Sequence, residues 1–175
     1  MGNFYTNVTV LGPGREEVAE FLRQRRWSAY VSPTRERQTV VYDALADEQD
    51  TDRLARVARD LSERFSCPAF AVLDHDDSEL WFELYERGAR TAAFDSSSGE
   101  RTGLRALCSA WGRSGAVLPL QLLLVVPMLF QSWRHGAIAK LLGLPPWSVN
   151  LGYRYLDEAE VILGGPDRAE FVSTR

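Results

Sequence analysis

A cluster of acidic residues around one of the two histidines is the part of this sequence that could do chemistry. The segment runs Asp74-His75-Asp76-Asp77, and Glu79 follows it. Carboxylates and an imidazole could hold a divalent cation, or the acidic neighbours could tune His75 as a general base. Successive strand residues point to opposite faces, so only alternate residues converge, such as His75 with Asp77. His75 and Asp77 are therefore a candidate pair of metal ligands. Aspartate and serine are also ordinary turn residues, so we favour a solvated or capping turn over a metal site.

A second acidic segment precedes the second predicted helix. Its five acids fall within ten residues and are Asp43, Asp47, Glu48, Asp50 and Asp52. Asp50 and Asp52 suit a helix N-terminus, where negative charge meets the positive end of the helix dipole. Nucleotidyl cyclases and polymerases place metal-binding carboxylates on the first strand. The first strand here reads NFYTNVTVL and has none, so we reject that class of enzyme.

The sequence contains no recognisable catalytic motif. There is no G-x-S-x-G, no P-loop and no G-x-G-x-x-G after a strand. Cys67 and Cys108 lack the spacing of a metal or redox site, and His135 stands alone in a helical segment. We therefore expect no catalytic residue and no cofactor, although a triad assembled from distant parts of the chain stays open.

The charge balance argues against nucleic acid as a partner. The 175 residues carry 24 acids and 20 basic residues, which gives a net charge of −4, and the pI is near 5.3. Binding to phosphates needs a basic patch, and RNA-binding sheets combine their stacking aromatics with basic residues. The start of the chain has no basic segment followed by an apolar one. We expect a cytoplasmic protein with no nucleic-acid partner and no membrane partner.

The first half of the chain alternates between strand and helix patterns. Residues 4–11 alternate as a strand, and the helix that follows, running to about Arg26, carries an apolar stripe. Two short strands, a second helix and a further strand come next. This is the order of the ferredoxin-like split βαβ unit. We predict an α+β fold in which residues 1–98 form a ferredoxin-like core, its sheet extended by a β-meander.

Residues 99–175 are predicted to form a mainly helical C-terminal subdomain packed on that sheet. Helical patterns cover residues 104–111 and 133–142. A last strand is predicted at residues 152–156. The final ten residues are predicted to fray.

One apolar run in this half needs its own explanation. Residues 114–133 carry no charge, and a helix of this length could cross a bilayer. Pro119, Pro127 and two glutamines oppose a membrane span, and no cluster of positive charge flanks it. We therefore predict a buried helix that starts near Pro119, with a membrane-inserting segment as the minor alternative.

Three segments resemble a family of uncharacterised bacterial proteins. They are FYTN at residues 4–7, HDD-x-x-LW-x-x-LY at residues 75–85 and LGLP-x-W-x-V at residues 142–149. The resemblance implies a bacterial origin and one continuous fold. That family has no established activity, cofactor or catalytic residue, so the resemblance implies no role for any residue here.

Together these observations favour a protein that binds another protein and is not a catalyst. Two acidic segments could face a basic partner and steer its association. A bacterial immunity protein that neutralises a basic toxin is the specific form of this hypothesis. The predicted contact residues are Asp43, Asp47, Glu48, Asp50, Asp76, Asp77 and Glu79. The alternative is a metal- or small-molecule-dependent enzyme or sensor with its site around His75, Asp76 and Asp77.

Overall fold

The computed structural model describes residues 3–158 and 165–175, which contain eight β-strands and six α-helices. In chain order the elements are β1 (Phe4–Leu11), α1 (Arg15–Gln24), β2 (Ala29–Val31), β3 (Gln38–Asp43), α2 (Thr51–Phe65), β4 (Pro68–His75), β5 (Glu79–Glu86), β6 (Ala89–Asp95), β7 (Arg101–Thr102), α3 (Leu104–Ala110), α4 (Val117–Val125), α5 (Gln131–Leu142), α6 (Tyr153–Asp157) and β8 (Val172–Ser173). The predicted α+β class is confirmed.

The strands form one antiparallel sheet in the order β7-β6-β5-β4-β1-β3-β2-β8. β1 lies near its centre, where Val8 pairs with Val41 of β3 and Ala71 of β4. β4, β5 and β6 follow one another as a meander. The two outermost strands, β7 and β8, both come from the part of the chain after residue 98.

Helices cover both faces of this sheet. Side chains alternate along a strand, so β1 sends Val8 into the core under α1 and α2, together with Leu61. On the other face, α3, α4 and α5 pack around Phe82 and Ile138, and α6 closes a smaller cluster over β2 and β3. The same alternation turns Tyr5 of β1 toward α5.

Local sequence explains where two of the helices begin. Asp50 caps α2, because its carboxylate accepts the backbone N–H of Arg53 at 2.9 Å. Gly103 precedes α3 with a φ of 66° and lies against the backbone of Thr91 and Ala92. A side chain at Gly103 would overlap the Thr91 carbonyl, so only glycine fits this junction.

The strand predicted at residues 152–156 is wrong, because Tyr153–Asp157 is the helix α6. Its first turn is stabilised by a residue that lies far away in the sequence. The Asp47 carboxylate accepts the backbone N–H groups of Tyr153 at 3.1 Å and Arg154 at 2.9 Å. The capping group lies more than a hundred residues away in the sequence, where no local pattern could reveal it.

The prediction that the last ten residues fray is also wrong. β8 pairs with β2 at the edge of the sheet, with Val172 opposite Val31. The Thr174 hydroxyl donates to the carbonyl of Trp27 at 2.6 Å and accepts the N–H of Ala29 at 2.9 Å. The end of the chain is therefore held by β-pairing and by a buried side chain.

The uncharged run at residues 114–133 contains α4 and the start of α5. The helix predicted near Pro119 is present. The prediction that this helix is buried is correct for one of its two faces. Leu120 and Leu124 are buried, whereas Leu118 and Leu122 on the opposite face are exposed. Within the described ranges, no helix is long and apolar enough to cross a bilayer.

Candidate protein-binding surface

The fold brings the two acidic segments together. Nδ1 of His75, at the end of β4, lies 3.2 Å from Oε1 of Gln49, in the turn before α2. Glu79 opposes His75 across the β4–β5 hairpin. Five exposed acids lie on these two segments and are called the acidic surface: Glu48, Asp50, Asp52, Asp76 and Glu79.

Asp43 belongs to the protein interior. Its side chain is 2 % exposed, and its carboxylate forms a two-point ion pair with Arg53, with contacts of 2.9 and 2.7 Å. It also accepts the backbone N–H of Ala46 at 3.0 Å. The Arg53 guanidinium stacks over the Trp27 ring, 4.1 Å from its centroid. The charge of Asp43 is thus neutralised inside the fold, where it orders the turn between β3 and α2.

Asp47 is likewise buried, with 7 % of its surface exposed. Burial raises the pKa of its carboxyl above the usual range, and the N–H groups of Arg154 and Tyr153 oppose that rise. Its carboxylate caps α6. The structure therefore places two of the seven predicted contact residues, Asp43 and Asp47, away from the surface.

Asp77 joins the β4–β5 turn, residues 76–78, called the acidic turn, to α5. Its carboxylate accepts the backbone N–H groups of Asn3 at 3.1 Å and Ser132 at 3.2 Å, and its carbonyl accepts the N–H of Gln131 at 2.9 Å. Burial alone would raise the pKa of the Asp77 carboxyl, but hydrogen bonds from Ser132 and Asn3 outweigh it and lower the pKa. Asp77 is half-buried, and its carboxylate holds the first turn of α5.

The structure does not assemble the predicted metal pair into a cluster. His75 faces Gln49 and stacks edge-on against Phe4, whereas the carboxylate of Asp77 is bound to backbone N–H groups. Across residues 3–158 and 165–175, no three His, Cys, Asp or Glu side chains come together in a way that could hold a metal ion.

An exposed apolar surface adjoins the acidic turn. Nine large apolar side chains are exposed in the described part of the chain, and seven of them lie between residues 118 and 133. These seven form the apolar strip: Leu118, Leu122, Val125, Val126, Leu129, Phe130 and Trp133. Leu129 is 85 % exposed and Trp133 is 62 % exposed. Monomeric proteins seldom expose a contiguous apolar surface larger than roughly a few hundred Å² unless it binds a partner.

In the sequence, the apolar strip was indicated by the uncharged run at residues 114–133. The run was interpreted as buried because apolar residues usually are. It has too few polar positions to show which face of α4 would meet the core, so periodicity could not separate Leu120 from Leu122.

A buried polar cluster lies between β1, β4 and α5. The Tyr5 hydroxyl is 2.7 Å from Nδ1 of His135, and Asp74 opposes Tyr5 across the β1–β4 ladder. Burial, and then the charge of Asp77, raise the pKa of Asp74 to about 7. Burial lowers the pKa of His135 to about 3, so this imidazole is neutral. His135 is 1 % exposed and is enclosed by the fold.

A cleft of about 990 Å³ opens between α5 and the segment that follows it. Its lining includes Ala139, Lys140 and Gly143 at the end of α5, and Pro145 and Trp147 after it. Its size suits a small molecule. None of the predicted acidic contact residues lines it.

No protein-family model, curated protein or solved structure matches the chain. The family resemblance drawn from the three motifs therefore stays a prediction.

Proposed function

We propose that this chain is a non-catalytic protein-binding module that holds a basic partner protein on its acidic surface. The observation that carries the proposal is the junction of two acidic segments at Gln49 and His75. Charges grouped on one surface sum to a potential that steers an oppositely charged protein toward it.

The contact residues of this proposal are the acids that reach solvent. Four of the seven predicted contact residues are exposed: Glu48, Asp50, Asp76 and Glu79. Asp52, which was predicted only to stabilise the start of α2, is also exposed and joins them. Arg53, the nearest cation in sequence, is ion-paired with Asp43 inside the fold.

A toxin-neutralising immunity protein is the biological form that we favour. Such a protein needs a rigid surface and no catalytic group. Cross-strand pairing over eight strands supplies the rigidity. The proposed partner is a basic toxin, and the proposed location is the cytoplasm of a bacterium.

We also propose a ferredoxin-like core for residues 1–98. The neighbouring strands β4, β1, β3 and β2, with α1 and α2 on one face, support that topology. Residues 99–175 would then be a mainly helical subdomain that also contributes β7 and β8 to the sheet.

The experiment compares three baits in affinity capture from the native lysate. The first is the unchanged chain. The second removes four negative charges from the acidic surface through Glu48→Gln, Asp50→Asn, Asp52→Asn and Glu79→Gln. Asparagine at position 50 keeps an acceptor for the α2 cap. The third removes four negative charges elsewhere through Glu20→Gln, Glu36→Gln, Glu63→Gln and Glu158→Gln, all at exposed positions.

The unchanged chain and the third bait should retain one basic protein in stoichiometric amount, and the second should lose it. Equal capture by all three baits would remove the acidic surface from the interaction. If the unchanged chain captures no stoichiometric protein, the proposed function fails.

A further inference from the structure

We infer that the apolar strip is the interface through which two copies of this chain form a symmetric dimer. This inference is independent of the proposed function, because it concerns the opposite face of the sheet. Tyr5 and Asp74 share the face on which α5 packs. His75, the next residue along β4, therefore points to the other face, where it meets Gln49 near the start of α2.

The area of the apolar strip matches what a stable dimer needs. Its seven side chains expose on the order of 700 Å², given ordinary side-chain areas. A standard protein interface takes about 800 Å² from each partner. At its end, the rings of Phe130 and Trp133 pack edge to face with centroids 4.8 Å apart. Large aromatic anchors of this kind dominate interface energies.

The charge distribution favours a second copy over the basic partner as the occupant. The chain carries no charge between Arg113 and Arg134, so two copies would not repel each other across the strip. A basic partner would gain nothing electrostatically there. An uncharged apolar surface is best matched by another uncharged apolar surface, and a second copy supplies one of the same size.

The rim of the strip fits a two-fold arrangement. Arg101 and Arg105 flank the exposed side of α4. The acidic turn abuts the first turn of α5, where Gln131 donates to the carbonyl of Asp77. In an antiparallel pair, the arginine side of each copy faces Asp77 of the other, which is not one of the five acids of the acidic surface. Two-fold symmetry requires a self-complementary contact of this kind.

The first test measures mass in solution by sedimentation equilibrium. The unchanged chain should show twice the mass of one chain. Leu129→Asp should raise the dimer dissociation constant at least tenfold, because it places a charge at the most exposed side chain of the strip. Leu45→Asp is the matched control and should leave the dimer intact, since Leu45 is also an exposed leucine, at 55 %, but lies outside the strip.

A second test does not depend on a destabilising change. Val126 lies in the middle of the strip, so an antiparallel pair brings it close to its own counterpart. Val126→Cys should form a disulfide-linked dimer under mild oxidation, and Leu45→Cys should not. The natural cysteines, Cys67 and Cys108, are both buried.

A chain that sediments as a monomer would overturn the inference and assign the strip to another protein or to a lipid surface. A dimer that Leu129→Asp leaves unchanged, together with no cross-link at position 126, would also overturn it. Neither result bears on capture by the acidic surface, so the two proposals fail separately.

Discussion

Gln49 and His75 lie 26 residues apart in the chain, yet Oε1 of Gln49 is 3.2 Å from Nδ1 of His75. The contact brings the turn before α2 against the β4–β5 turn. Glu48 and Asp50 flank one partner, and Asp76 follows the other. Two acidic segments that are separate in the sequence thereby form one charged surface.

Asp43→Ala should destabilise the fold by about 3 kcal/mol. The substitution leaves the Arg53 guanidinium, only 11 % exposed, without its carboxylate, and breaking a buried pair in this way is costly. Urea denaturation measures the loss. Glu48→Ala, at a nearby exposed position, should change the free energy of unfolding by no more than about 0.5 kcal/mol. Equal effects of the two substitutions would contradict the internal role of Asp43.

Asp47→Ala should lower the free energy of unfolding by about 1–2 kcal/mol, because the first turn of α6 loses its cap. Asp47→Asn should cost less, since an amide oxygen can still accept one of the two N–H groups. Denaturant titration of both variants gives the comparison. A loss for Asp47→Asn as large as that for Asp47→Ala would show that the charge of the carboxylate, rather than capping, is what matters.

Asp74→Asn should remove a pH-dependent loss of stability. The folded-state pKa of Asp74 is raised to about 7, above its ordinary value of 3.8. Its contribution to stability is therefore fully present below about pH 4 and is lost as pH rises through 7. The variant should gain stability relative to the unchanged chain between pH 4 and pH 8, by on the order of 1–3 kcal/mol. Urea denaturation at both pH values tests this, and the contribution of His135 cancels in the comparison.

Thr174→Val should destabilise the fold by about 1 kcal/mol, because the Thr174 hydroxyl is held by two hydrogen bonds. The isosteric change removes the hydroxyl that bonds Trp27 and Ala29 and leaves the β8–β2 pairing in place. Thr102→Val, at an exposed position in the opposite edge strand, is the control. An unaltered denaturation midpoint for Thr174→Val would mean that the end of the chain contributes nothing to stability.

The sequence predicted the strands and helices whose apolar residues recur at a regular spacing. It missed the elements that are stabilised by residues far away in the chain. β1, α2 and the three strands of the meander show regular alternation or helical spacing, so their positions were predicted closely. α6 depends on Asp47, and β8 has only two residues, too few to show a period. The burial of Asp43 follows from Arg53, ten residues away, and acidic character alone could not reveal it. The exposed face of α4 was missed because leucine and valine occupy both of its faces.

The salt dependence of association between the unchanged chain and its captured partner tests the central claim most directly. Stopped-flow rates should fall steeply as ionic strength rises, because screening weakens steering by exposed charges. The variant with Glu48→Gln, Asp50→Asn, Asp52→Asn and Glu79→Gln should associate about tenfold more slowly at low salt and show a much flatter dependence. Rates and salt slopes that are the same for both proteins would contradict an acidic surface that recruits a basic partner.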